Sequence, residues 1–253
     1  MTSLMLEHFG VPSSAQDMRL RERARSEAID GLAGRTVWCA AAVPERRSAA
    51  EALRSRLGGA GAVATGRLDI AADGPLRDLA RQLDAMLSGH ARGQRQLDAE
   101  QQEIYAGASR DGEALIGGAV RHDDIVVISD PFVAVLAEAV RERGALVVWQ
   151  LELCPRRAAV ARAWSFIERS SPPIDAYVTS WSAPLPGGRV QSGVAAFIAG
   201  ADTVAAKEQK IGAGDPPWDE ELGWSRLLGD IVRAGREEHV GGIVHARPAI
   251  AVR

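Results

Sequence analysis

Residues 124–151 decide the fold: Asp124-Ile125-Val126-Val127-Ile128-Ser129-Asp130-Pro131-Phe132, a helix-forming run ending in Gly144, then Leu146-Val147-Val148-Trp149-Gln150-Leu151. Two short Val- and Ile-rich runs flank a helical one, which is the strand–helix–strand pattern of paired parallel strands joined by a crossover. Each strand passes into polar residues, Ser129 and Asp130 after the first and Glu152 after the second. Ligands of open α/β sheets sit beyond the carboxyl ends of the strands, so these residues mark a candidate cleft.

Outward from this unit the alternation continues. Thr36–Val43 reads as a first strand. Ser48–Leu57 reads as a helix, with Ser48 at the N-cap and Glu51 in capping-box position. Ala62–Ala71 is a weaker strand. Leu76, Leu79, Leu83 and Leu87 give the next segment an amphipathic helical stripe. Gln94–Val120 reads as one helix or a pair, 156–168 as a helix broken by Pro172-Pro173, and Asp175–Thr179 and Val190–Ile198 as strands. The fold class is therefore α/β: a Rossmann-like, mainly parallel sheet with helices on both faces. Residues 1–30 form an N-terminal arm, 31–211 the domain, and 212–253 a linker, a C-terminal helix and a tail. Trp224, Leu227 or Leu228, and Ile231 give that helix an apolar stripe, which packs on the domain's own sheet or on a partner. The tail Gly241–Arg253 suits an edge strand or a partner surface.

Composition narrows the function classes. The net charge of −3 argues against a general nucleic-acid binder, and no run of 18 apolar residues suggests a membrane span. The start lacks the order of a secretory signal. Cys39 and Cys154 lie in or beside apolar strands, as buried free thiols of a cytoplasmic protein do. Arginine outnumbers lysine 28 to 2, a coding bias that weakens any argument from Arg abundance alone, and asparagine is absent. No HExxH, CxxC or His-triad spacing occurs, so no metal is expected. No P-loop or GxGxxG follows a strand, and no cofactor is implied.

Several side chains remain as site candidates. Asp130 before Pro131 has the sequence of a helix start, which leaves room for a second role in the cleft. Glu152, just past an apolar strand, is a candidate general base; a solvated loop carboxylate is the plain alternative. Arg46-Arg47 and Arg156-Arg157 each follow a strand, and the guanidinium fork suits phosphate, sulfate or carboxylate. Ser129, Ser180 and Trp181 complete the candidate lining.

Taken in order, Gly34-Arg35-Thr36-Val37-Trp38, Ala50-Glu51-Ala52-Leu53-Arg54-Ser55, Asp124–Pro131, Gly144–Trp149, Ala163-Trp164-Ser165-Phe166 and Asp175-Ala176-Tyr177-Val178 resemble the N-terminal domain of the trehalose synthase-type retaining glycosyltransferases. The resemblance runs roughly from Gly31 to Ile211. It implies one half of a GT-B fold. The departures matter equally: Val43-Pro44-Glu45-Arg46-Arg47 stands where the family has a glycine-rich loop, and Ser129 and Glu152 stand where its pattern has histidines. The resemblance also implies a second, donor-binding domain, for which the residues after Ile211 are too few. The chain alone is then expected to transfer no sugar from nucleotide-sugar donors.

The resulting expectation is a subunit of a heteromeric enzyme of small-molecule, specialised metabolism. It would bind a small polar or anionic substrate, with Glu152 or Asp130 as base in a displacement or elimination of sulfate or phosphate. The alternatives are a non-catalytic protein that stabilises a partner enzyme, and the acceptor half of a split glycosyltransferase. The expected partners are a second protein chain or a second copy, and a small anionic metabolite, with no nucleic acid and no membrane.

Overall fold

In a computed structural model, the structure describes residues 26, 30–59, 63–70, 74–91, 97–152, 158–170, 174–179, 194–198, 220–236 and 243–246. Its elements alternate: β1 (Thr36–Ala41), α1 (Pro44–Gly59), β2 (Ala64–Asp69), α2 (Gly74–Leu87), α3 (Ala99–Arg110), α4 (Gly112–Ile116), β3 (Ile125–Ile128), α5 (Val133–Glu142), β4 (Leu146–Leu151), α6 (Ala158–Ser170), β5 (Ala176–Thr179), β6 (Val194–Ile198), α7 (Glu220–Arg236) and β7 (Ile243–Ala246). The strands form one sheet in the order β2-β1-β3-β4-β5-β6-β7, and every neighbouring pair is parallel.

A parallel sheet with both faces covered needs strands that are apolar throughout, and β3 is buried at all four positions. Its side chains alternate between two cores. Val126 and Ile128 face α2 to α6, together with Leu83, Tyr105, Leu136, Phe166 and Trp149. Ile125 and Val127 face α1 and α7, with Leu53, Leu57, Trp224, Leu227, Leu228 and Ile231. The doubly wound architecture expected from the alternation is the one observed. In the first core Trp149 of β4 stacks on Trp164 of α6 at 5.8 Å between ring centroids and 9° between planes, with Tyr177 of β5 tilted against both.

Two close approaches depend on glycine. A Cβ on Gly66 of β2 would stand 2.3 Å from the indole carbons of Trp38 on β1, so the ring lies over a strand position with no side chain. A Cβ on Gly112 would stand 2.2 Å from the Val135 carbonyl oxygen, which lets α4 start directly against α5.

One expectation needs correction. The first helix starts at Pro44, four residues before Ser48, because proline at the head of a helix has its φ preset and no N–H to satisfy. Ser48 is therefore interior, and Glu51 pairs with Arg54 on the helix surface instead of capping. Of the two readings of 94–120, one helix or a pair, the pair is the one observed: Asp98 caps α3, accepting from the Gln101 N–H while the Gln101 side chain accepts from the Asp98 N–H. Of the placements open to the C-terminal helix and tail, the structure shows the domain's own sheet and an edge strand. The α7 stripe is buried against this chain's own sheet, and β7 pairs with β6. Burial of Leu-sized side chains is worth roughly 1.5–3 kcal/mol each, which favours that intramolecular packing. The arm before residue 30 (Ser26 apart) and the linker 212–217 lie outside the described residues.

Candidate functional site

The strand order reverses at β1. The chain leaves β1 for β2 on one side and returns to β3 on the other, so the carboxyl ends of β1 and β3 frame the crevice that open α/β sheets use for ligands. Five of the candidates lie here or one strand away.

Asp130, just past β3, is fully buried. Its Oδ2 accepts from the backbone N–H groups of Ala42 at 2.7 Å and Val43 at 3.0 Å, and its Oδ1 from Phe132 N–H at 2.9 Å. Burial pushes its carboxyl upward, and the three amides pull against that shift. Backbone amides at the mouth of the first helix commonly hold a ligand's anionic group. Here the protein's own carboxylate fills that position. Asp130 is thus a strut across the switch point, buried and with both oxygens engaged by backbone amides. Above it, the Tyr105 hydroxyl donates to the Pro131 carbonyl and ties this loop to α3.

Ser129 is also buried, and it continues the β1–β3 ladder by donating its N–H to the Ala40 carbonyl at 3.1 Å. Its hydroxyl donates to Gln150 Oε1 at 3.3 Å, which reaches the next strand.

Because α1 begins at Pro44, Arg46 lies in the first helical turn and not in a loop. Its side chain is 14 % exposed. Nε and Nη2 donate to Asp84 Oδ1 of α2 at 3.0 and 2.9 Å, and Nη1 to Glu152 Oε2, just past β4, at 2.6 Å. The two carboxylates differ: the Asp84 side chain is 21 % exposed and Glu152 61 %. Burial raises the Asp84 carboxyl above its ordinary value, against the pull of Arg46. The fold thus brings together two of the predicted residues, Arg46 and Glu152, from strands that are not neighbours. One guanidinium faces two carboxylates, so the cluster carries an excess of one negative charge. A second pair, Arg81 with Glu45, flanks it at 3.1 Å.

Arg47 is exposed beside this cluster. Arg156, Arg157, Ser180 and Trp181 lie outside the described residues, so the meeting of the two Arg pairs is not part of the described geometry. Asp84 and Gln150 were missed by sequence reasoning. The one available signal for Asp84 was an acid next to Leu83 in the apolar stripe of α2; Gln150 had only its position in an apolar strand. Among the described residues no group of three or more His, Cys, Asp or Glu side chains gathers as for a metal ion, and no helix is long and apolar enough to cross a membrane.

The structure thus belongs to the class of Rossmann-like α/β domains with a switch-point crevice, the arrangement of one GT-B half. Residues 69–184, a little under half of the chain, match the family described as trehalose synthase, N-terminal domain. This agrees with the resemblance seen in the sequence, over a shorter span. Asp84, Asp130 and Glu152 fall within the matched segment and Arg46 outside it. No curated protein matches the chain.

Proposed function

We propose that this domain is the substrate-holding half of a group-transfer enzyme of small-molecule metabolism and that it works as a subunit beside a second protein chain. The observation that carries the reading is the Arg46–Glu152 pair at the carboxyl ends of β1 and β4, beside the switch point. Glu152 is the candidate base: Oε2 is held by Arg46, and Oε1 has no partner among the described residues. A carboxylate so placed can take a proton from a hydroxyl nucleophile, or from the carbon beside a departing sulfate or phosphate, which leaves with the C–O electron pair. Asp130 belongs to the scaffold of this site. The substrate is small and polar, because guanidinium and carboxylate together read hydroxyl and oxyanion groups. The partner supplies the facing wall of the crevice, in keeping with a family that is described as one domain of a larger protein.

Two measurements on the full chain test this. A panel of sugars, sugar phosphates and sugar acids is screened by calorimetry against the native protein and Glu152→Gln. Native co-purification with mass spectrometry then seeks the second chain. A Glu152-dependent ligand and a stoichiometric partner are expected. A monomer that is fully active without any other chain would refute the subunit reading, and a panel without one Glu152-dependent ligand would refute the site.

A further inference from the structure

The three-part cluster is unequal in a way that suggests how it takes a ligand. Asp84 holds Arg46 by two donors from the less exposed side. Glu152 holds it by one donor, Nη1, from the solvent side, with 61 % of its side chain exposed. A two-donor contact in a half-buried position resists exchange, whereas an exposed single contact is weak and exchanges readily. Asp84 is therefore the permanent counter-ion, and Glu152 is the replaceable one.

We infer that Glu152 is a built-in stand-in for a ligand oxyanion: a carboxylate or phosphate group on the substrate takes its place on Arg46 Nη1, and Glu152 is released into the crevice. This rests on the proposed substrate-holding role of the same site and specifies its substrate class. With Glu152 in place the cluster has an excess of negative charge and repels an anion. With Glu152 displaced, Arg46 offers a donor that Asp84 does not use. The exchange couples two tasks, because the carboxylate set free lies beside the group that displaced it. Binding of the correct substrate thereby places the base, and a neutral ligand leaves Glu152 held. The switch-point amides take no part in this recognition, since Asp130 already occupies those of Ala42, Val43 and Phe132.

The test uses inorganic phosphate and acetate as separate probes, titrated by calorimetry into the full chain at low salt. Glu152→Gln removes the competing charge and should tighten binding of the preferred probe about two- to fivefold, the scale of one exposed ion pair. Arg46→Gln should abolish it. Because Arg46→Gln leaves Asp84 without its partner, its fold is checked by circular dichroism. If it unfolds, the Glu152→Gln comparison alone decides. Phosphate gaining and acetate not would assign a phosphorylated substrate, and the reverse a carboxylate-bearing one. Equal binding by native protein and Glu152→Gln, or weaker binding by the variant, would overturn the inference. If both ions fail to bind while a neutral metabolite binds in a Glu152-dependent way, the stand-in idea falls and the substrate-holding role survives.

Discussion

Asp124 and Asp130 stand just outside the two ends of β3, and each bolts that strand to β1. Asp124 Oδ1 accepts from Thr36 N–H at 2.9 Å, while Oδ2 accepts from Trp38 Nε1–H at 3.0 Å and Arg121 N–H at 2.9 Å. Asp130 accepts from Ala42, Val43 and Phe132 at the opposite end. Parallel strands distant in sequence have no hairpin to align them. Here two carboxylates, six residues apart and flanking one strand, set where β1 begins and where it ends.

Replacing either carboxylate by alanine leaves three donors unpaired, at about 1–3 kcal/mol for each donor that water cannot reach. The donors around Asp130 are buried, and those around Asp124 only partly so. Asp130→Ala is therefore expected to destabilise by roughly 3 kcal/mol or more and to exceed Asp124→Ala. Urea denaturation of the two variants checks the order. A smaller loss for Asp130→Ala would show that its amides find other partners.

Gly66→Ala places a methyl group where the Trp38 indole lies. Overpacking of this kind costs about 1–3 kcal/mol. The loss should shrink in the Trp38→Leu background, where the ring is gone. A double-mutant cycle in urea measures the coupling, and additive effects would disprove the contact.

Asp84 sets a pH signature. Burial raises its carboxyl above the ordinary 3.8 despite Arg46. A carboxyl raised by folding binds its proton more tightly in the native protein than in the unfolded chain. Its contribution to stability is thus most favourable below pH 3.8 and declines as pH climbs through the folded value. Asparagine does not titrate. Native stability minus that of Asp84→Asn should therefore fall with rising pH across this window and then level off. A difference that rises instead would mean that Arg46 outweighs burial.

Cys39 is buried on the α1 face of β1, and burial pushes its thiol up to about 12. The thiolate is the reactive form, so Cys39 should resist alkylation at pH 8 in the native protein and react after unfolding in urea. Peptide mapping by mass spectrometry separates it from Cys154. Rapid native labelling of the Cys39 peptide would count against the buried position.

What the sequence determined by itself was local and periodic. Apolar runs at 125–128 and 146–151 set β3 and β4, the leucine stripe set α2, and their alternation required a parallel sheet covered on both faces, as found. Positions past the strand ends were legible too, because the chain reverses at the carboxyl edge in every such unit, and Ser129, Asp130 and Glu152 all lie there. Only the tertiary structure decided what those residues do. Asp130 and Glu152 have the same chemistry, yet one is enclosed by amides 87 and 88 residues away in sequence and the other is exposed beside an arginine. Sequence periodicity records which face a residue turns toward, not which distant donor will meet it. Asp84 shows the same limit: its place in the site follows from ion pairs between α2 and the first turn of α1, which no local pattern encodes. The apolar stripe of α7 could equally have met a partner, and the sheet of its own chain covers it because that surface is always within reach.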